Sequence, residues 1–436
     1  HTDSPGVGTY AKPQNVGIRR HRRHQGEPRH CRPSGQHTFG SDCPSLLTTA
    51  FSPNTDTNCK FYRQKAKIVD ENINFAYRII TISYYIMKIS RQTAPSPMGE
   101  ITLYTLTNAT GASVTLSSLG AGIVKTEVPD RNGKLDDVVI GYADPADYIA
   151  DGPCAGKIPG RFANRIAKGH FTLDGKDYTL AINNGPNALH GGPTGFMNRI
   201  WDSEANAQEG TVTFYRTSPD GEEGYPGNLT VKATYAWTDD NVLTLRLQAE
   251  TDAPTVINLT NHAYWNLEGH NAGSILDHEL QLECSRYLPT DDTLIPTGEF
   301  APVAGTPMDF TTPKKIGRDI KTDFPALNYG KGYDNCWVAD GPIRKGELKT
   351  VAILSSEPSG RILEVSTTQP AAQVYTGNWL AGSPANKAGR PYDDYDGVAI
   401  ECQNMPDAPN HADFPSAVLR PGEKYDETIK FSFKTK

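Results

Sequence analysis

The chain has 436 residues, 37% hydrophobic and 21% charged, with 43 Lys+Arg against 50 Asp+Glu and a formal charge of -7. That length supports one large domain or two ordinary ones, with a substantial core. Nothing in these totals points to nucleic acid or a membrane as a partner.

The first 86 residues do not share the composition of the rest. They hold 12 Lys+Arg against 6 Asp+Glu, leaving 31 against 44 in residues 87–436, a balance of -13. The head contains the basic run at 19–24, three of the seven cysteines and five of the eleven histidines, and the first methionine of the chain is Met87. Clustered arginines can neutralise phosphates, which makes a nucleic-acid arm one reading. The segment lacks the apolar periodicity that packing requires, so the expectation is a disordered basic extension over 1–86, with the functional protein beginning at or near Met87. Cys31, Cys43 and Cys59, scattered among His24, His30 and His37, lack the paired spacing of a zinc site. The apolar stretch at 73–87 is interrupted by Arg78, too short to span a bilayer and too deep in the chain for a signal peptide.

Residues 87–436 read as one all-β domain. Leu243, Leu245 and Leu247 alternate with Thr244, Arg246 and Gln248, the period of a strand with one face buried. The same alternation runs through 101–106, 212–215, 362–366 and 429–433. Turn chemistry agrees, since Gly133, Gly175, Gly221 and Gly422 stand where a positive φ is wanted. No repeat and no helix–strand alternation appears, so the expected architecture is a large antiparallel β-sandwich with function on its loops and one concave face. Cys154, Cys284, Cys336 and Cys402 form no pairing motif and fit a reducing compartment, hence a cytoplasmic location.

Polar residues with chemical capacity concentrate in five strings. Asn164 and Arg165 fall in 160–169, where a turn cap or a surface ion pair would also explain them. His190 precedes two glycines and would equally serve a tight turn. His262 is surrounded by Asn258, Asn261 and Asn266, more polar groups than a buried strand satisfies casually. Asp334 follows Gly332 and Tyr333. Gln373 leads toward Glu401, which follows the apolar 398–400 and reads as the end of a buried strand, where a carboxylate must be paired or functional. An imidazole that gives a proton and a carboxylate that takes one suffice for general acid–base chemistry. His190, His262 and a carboxylate would also make a three-ligand metal set, but no close histidine pair supports it and the expectation is no catalytic metal. No Gly-x-Ser-x-Gly elbow is present.

Together these strings resemble the aldose 1-epimerase family, or galactose mutarotases, over about residues 100–433 and in the family's order. The matching motifs are Gly-Arg-Phe-Ala-Asn-Arg-Ile at 160–166, Leu-His-Gly-Gly at 189–192, Asn-Leu-Thr-Asn-His at 258–262, Tyr-Leu-Pro-Thr-Asp at 287–291 and Ile-Pro-Thr-Gly at 295–298. They continue with Tyr-Asp-Asn at 333–335, Thr-Thr-Gln-Pro at 367–370, Tyr-Thr-Gly-Asn at 375–378 and Glu-Cys-Gln-Asn at 401–404. The resemblance implies a β-supersandwich that interconverts the anomers of free aldoses such as galactose and glucose. It implies that Glu401 removes the anomeric proton, His262 protonates the ring oxygen, and His190 lies near the reacting centre. It further implies that Asn164, Arg165 and Asp334 bind sugar hydroxyls, and that Gln373 orients the base or the anomeric hydroxyl. Trp265 and Trp379 would offer an apolar face to the sugar or pack in the core. Residues 154–159 lack the aromatic that many members carry there, and the basic head has no counterpart.

No cofactor is required for such chemistry, although a structural calcium on the acidic surface is left open. The expected partner is a small free aldose, with no nucleic acid and no membrane, acting on a monomer or weak dimer. Two rivals stand beside this reading: a glycoside hydrolase using Asp334 and Glu401 as paired carboxylates, and a carbohydrate-binding module without catalysis.

Overall fold

The computed structural model describes residues 87–342 and 346–436 throughout, and within the head only the backbone of short strands at Cys59–Lys60, Arg63–Lys67 and Thr81–Tyr85. The basic run at 19–24, the cysteine and histidine cluster through His37 and Cys43, and most of the expected extension lie outside the described residues. Cys59–Lys60 pairs with residues 88–89 of the strand Lys88–Ser96.

Strands dominate, and the pairings between the described strands are antiparallel, beside an isolated parallel bridge between Phe162 and Asn258. One sheet of nine runs, in spatial order, Asp202–Asn206, Thr211–Ser218, Leu229–Trp237, Val242–Thr251, Tyr425–Thr435, Arg361–Thr367, Lys349–Ser355, Glu279–Leu282 and Lys314–Lys315. Leu243, Leu245 and Leu247 are fully buried, and Leu245 stands opposite Ile429, so alternation set which face of this sheet is apolar. A six-stranded sheet contains Lys88–Ser96, Gly99–Thr107, Ser113–Ser117 and Gly122–Pro129, and a third sheet, also of six, carries the site. One hydrophobic cluster joins all three, with Leu106 and Val114, Leu245 and Phe431, and Trp337 and Ile400 among its members. The sheets therefore pack as layers of a sandwich. The hairpin His170–Leu173 to Lys176–Thr179 turns at Asp174 and Gly175, both at positive φ, a two-residue turn whose twist matches its strands.

The site-bearing sheet runs Tyr264–Trp265, Val398–Gln403, Ala371–Tyr375, Asp334–Val338, Arg286–Leu288 and Ala301–Pro302. Its register sets Glu401 opposite Gln373, Gln373 opposite Cys336, and Tyr375 opposite Asp334. Directly paired residues share a face, so Asp334, Gln373 and Glu401 emerge together, while Trp337, Ala372, Val374, Ile400 and Cys402 enter the core on the other side. Glu401 is not a strand end: Cys402 and Gln403 continue the ladder beyond it.

Candidate active site

A cavity of about 740 Å³ opens over the polar face of this sheet, and Asn164, Arg165, His190, His262, Asp334 and Glu401 all line it. Gln373 sits beneath, donating from Nε2 to Asp334 Oδ1 at 2.7 Å. It thus orients Asp334, while its Oε1 stays free on the strand position opposite Glu401.

The asparagines around His262 turn out to be structural, each satisfied by backbone. Asn258 donates to the carbonyls of Ala163 and Asn404 and accepts the Asn404 N–H, tying the Asn164 loop to the chain beyond Glu401. Asn261 donates to the Gly156 carbonyl, and Asn266 to those of Gly273 and Asp396. His262 differs from them. Its Nε2 lies 3.4 Å from Glu401 Oε1, while its Nδ1, Glu401 Oε2 and Gln373 Oε1 are buried atoms with no partner within the protein. Buried polar groups are rarely left unpaired, and orphans gathered at one cavity mark a place where a ligand completes them.

Burial dominates the electrostatics. It pushes the His262 imidazole down to about 4, with Asp334 opposing and Lys157 reinforcing the shift. It holds the Glu401 carboxyl well above the usual carboxylate range, helped by the like charge of Asp334 and opposed by Arg165. Both directions favour uncharged forms, so the pair holds one proton between them. Asp334 is neutralised differently: its second oxygen receives Arg165 Nη2 at 3.2 Å, and Arg165 Nε is fixed by Asn184 Oδ1 at 3.0 Å.

His190 and Asn164 support each other. The Asn164 N–H donates to His190 Nδ1 at 3.1 Å, and the His190 N–H returns to the Asn164 carbonyl at 3.1 Å. This bond fixes the neutral tautomer with its proton on Nε2. Burial, then the neighbouring charges of His262 and Arg165, keep the ring's pKa well below the imidazole range. The glycines after His190 have their own cause: a Cβ on Gly191 would stand 2.0 Å from the Gly160 carbonyl oxygen.

His190, His262 and Glu401 offer ligand atoms within 4.8 Å of one another, the trio that a metal would use. The donor set does not fit one. The Asn164 N–H occupies the Nδ1 lone pair of His190 and Nε2 carries the proton, so neither nitrogen is free to ligate without breaking that bond.

The two tryptophans divide. Trp265 is fully buried against Phe431 and Phe433, whereas Trp379 is 64% exposed at the cavity rim. Sequence reasoning missed Tyr264, Tyr375 and Asn184, which also line the cavity. Tyr375 stands two residues after Gln373 in one strand, so the period of a strand was the signal available for it.

The fold and this cavity define a β-sandwich class with a buried imidazole and carboxyl facing each other at a polar cavity. A family model described as aldose 1-epimerase matches residues 102–432. The chain is 46% identical to a galactose mutarotase of Homo sapiens over 320 residues, 73% of this chain and 90% of that protein. It is 38% identical to an aldose 1-epimerase of Escherichia coli (strain K12) over 334 residues, 76% of this chain and 94% of that one. The crystal structure of an aldose epimerase homologue from C. elegans superposes with a TM-score of 0.68 at 32% identity, covering 80% of this chain and 99% of that one. The chain belongs to the aldose 1-epimerase family, and it is an isomerase of that class.

Proposed function

We propose that residues 87–436 interconvert the α and β anomers of free aldoses such as galactose and glucose, with Glu401 and His262 as the catalytic pair. The observation that carries the roles is the 3.4 Å approach of two buried titratable groups that hold one proton and retain unpartnered atoms at a cavity with room for a sugar. Hydroxyls of a bound aldose supply the donors that a carboxylate needs, which makes the charged arrangement, carboxylate and imidazolium, accessible. Glu401 then takes the proton of the anomeric hydroxyl while His262 gives one to the ring oxygen. The bond from C1 to the ring oxygen breaks, C1 becomes an aldehyde, the C1–C2 bond rotates, and closure on the other face returns both protons.

Asn164, Arg165, His190 and Asp334 bind the sugar in this reading, His190 as a neutral donor through Nε2. All steps are proton transfers, so no metal or cofactor takes part. Every oxygen of Asp334 already serves Gln373 or Arg165, which favours a binding role over the paired-carboxylate role of a hydrolase. A cytoplasmic monomer or weak dimer without nucleic-acid or membrane partners completes the proposal. It is supported by the acidic balance of residues 87–436, by four buried free cysteines, and by the lack, among the described residues, of a helix long and apolar enough to cross a bilayer.

Polarimetry of freshly dissolved α-D-galactose and α-D-glucose tests the function. The expected result is faster approach to the same final rotation as the uncatalysed control, with no change in sugar mass. No acceleration by folded protein would leave the binding-module reading in its place.

A further inference from the structure

Beside the cavity lies an ion pair that the chemistry above does not use. Lys157 is 1% exposed, and its Nζ stands 2.9 Å from Asp151 Oδ1, with the Asp151 side chain equally enclosed. The ammonium also donates to the Tyr148 carbonyl at 2.6 Å and reaches Asn198 Oδ1 at 3.5 Å. Two charges withdrawn from water carry a desolvation cost, and apolar residues of similar volume often serve stability as well or better. Stability alone is therefore a poor reason for this pair.

Its connections suggest another. Asp151 accepts the N–H groups of Cys154 and Ala155 at 3.1 and 3.0 Å, which folds 151–157 into a closed loop around the ammonium. That loop presents its backbone to His262 from both sides: the Gly156 N–H donates to the His262 carbonyl and the Lys157 carbonyl accepts the His262 N–H, each at 2.9 Å. The loop itself has little freedom, since a Cβ on Gly156 would meet the Ile123 carbonyl oxygen at 1.9 Å. The other groups around the imidazole, namely Glu401, His190, Tyr264 and Tyr375, approach its ring, with Asp334 adding its charge.

We propose that the Lys157–Asp151 pair is a positioning device for His262, holding the imidazole at its working distance from Glu401. The inference rests on the catalytic role proposed for His262. The pair acts through the loop backbone, and the nearby ammonium also disfavours a charged imidazole.

Lys157→Met alone leaves a buried carboxylate without its cation and risks misfolding, so the decisive protein is the double variant Asp151→Asn/Lys157→Met, which removes both charges. Its fold is checked by circular dichroism and thermal melting, and its mutarotation kinetics are followed from pH 4 to 9. The expected result is a folded protein with KM within about twofold of the parent and kcat lower by about 10- to 100-fold, the penalty of a small misplacement. Its acid limb departs from the parent's, because an imidazole displaced within the site has a different distance to the charge of Asp334. A folded double variant with the parent's kcat and pH profile would overturn the proposal. The imidazole signals of His262, observed by NMR in parent and double variant, separate the two readings. If the parent fails to accelerate mutarotation, the catalytic reading falls, and unchanged chemical shifts and titration of His262 in the double variant overturn the positioning role by themselves.

Discussion

On one face of the sheet formed by Asp334–Val338, Ala371–Tyr375 and Val398–Gln403, the side chains include Asp334, Gln373 and Glu401; on the other they include Trp337, Val374, Ile400 and Cys402. The same strands carry both sets, one residue out of phase. Apart from the buried Asn335, the second face is packed like any core. The polar face keeps unpartnered atoms on Gln373 and Glu401 and a carboxyl whose pKa burial drives upward, features that weaken a fold. The contrast teaches that one face was shaped for stability and the other for a ligand, within a single hydrogen-bonded ladder.

The sharpest way to break this contrast is at adjacent residues of one strand. Glu401→Gln removes the proposed base and should lower kcat by about 10²- to 10⁴-fold, with the melting temperature held or raised because a buried carboxyl is gone. His262→Ala should lose activity on the same scale, and near-parental turnover in either variant would remove that residue from the catalytic pair. Ile400→Ala, one position away, should do the reverse, costing about 2–5 kcal/mol of stability in denaturant titration while kcat stays near the parent value. A variant at 400 that kept its stability but lost turnover would show that the two faces are not separable.

The pH profile sharpens the electrostatic half of the comparison. His262 is uncharged above about 4, so as pH falls through that value the pair gains a second proton and no base remains. On the alkaline side activity is lost as the pair gives up its only proton, above the ordinary carboxylate range because Glu401 is shifted upward. The expected kcat/KM curve is a bell with its acid limb near pH 4 and apparent values that belong to the pair. An acid limb at the ordinary imidazole value would show that burial does not govern His262. The smallest effect is expected at the rim, where Trp379→Ala should raise KM by no more than about threefold, as for an exposed side chain touching substrate on one side. A loss comparable to that of Glu401→Gln would extend the functional face to the rim.

Much of this architecture was legible in the chain itself. Alternation at 243–248 and 429–433 marked strands because a half-buried sheet repeats every two residues, and the Asp-Gly pair at 174–175 marked a hairpin because both residues adopt positive φ. His262 and Glu401 stood out because their residue types carry acid–base chemistry and their surroundings read as buried. The surrounding asparagines misled for the same reason: a buried amide that holds backbone cannot be told from one that holds substrate until its partners are visible.

Residue type and spacing thus determined the all-β class, the apolar faces and the identity of the groups able to exchange protons. Only the tertiary structure decided that Glu401 continues mid-strand opposite Gln373, that Trp265 belongs to the core while Trp379 reaches the cavity, and that Lys157 closes a loop onto Asp151 behind His262. Periodicity is a local property that the backbone imposes on each strand. Convergence depends on register and on loops joining positions more than a hundred residues apart, and no short-range pattern encodes those.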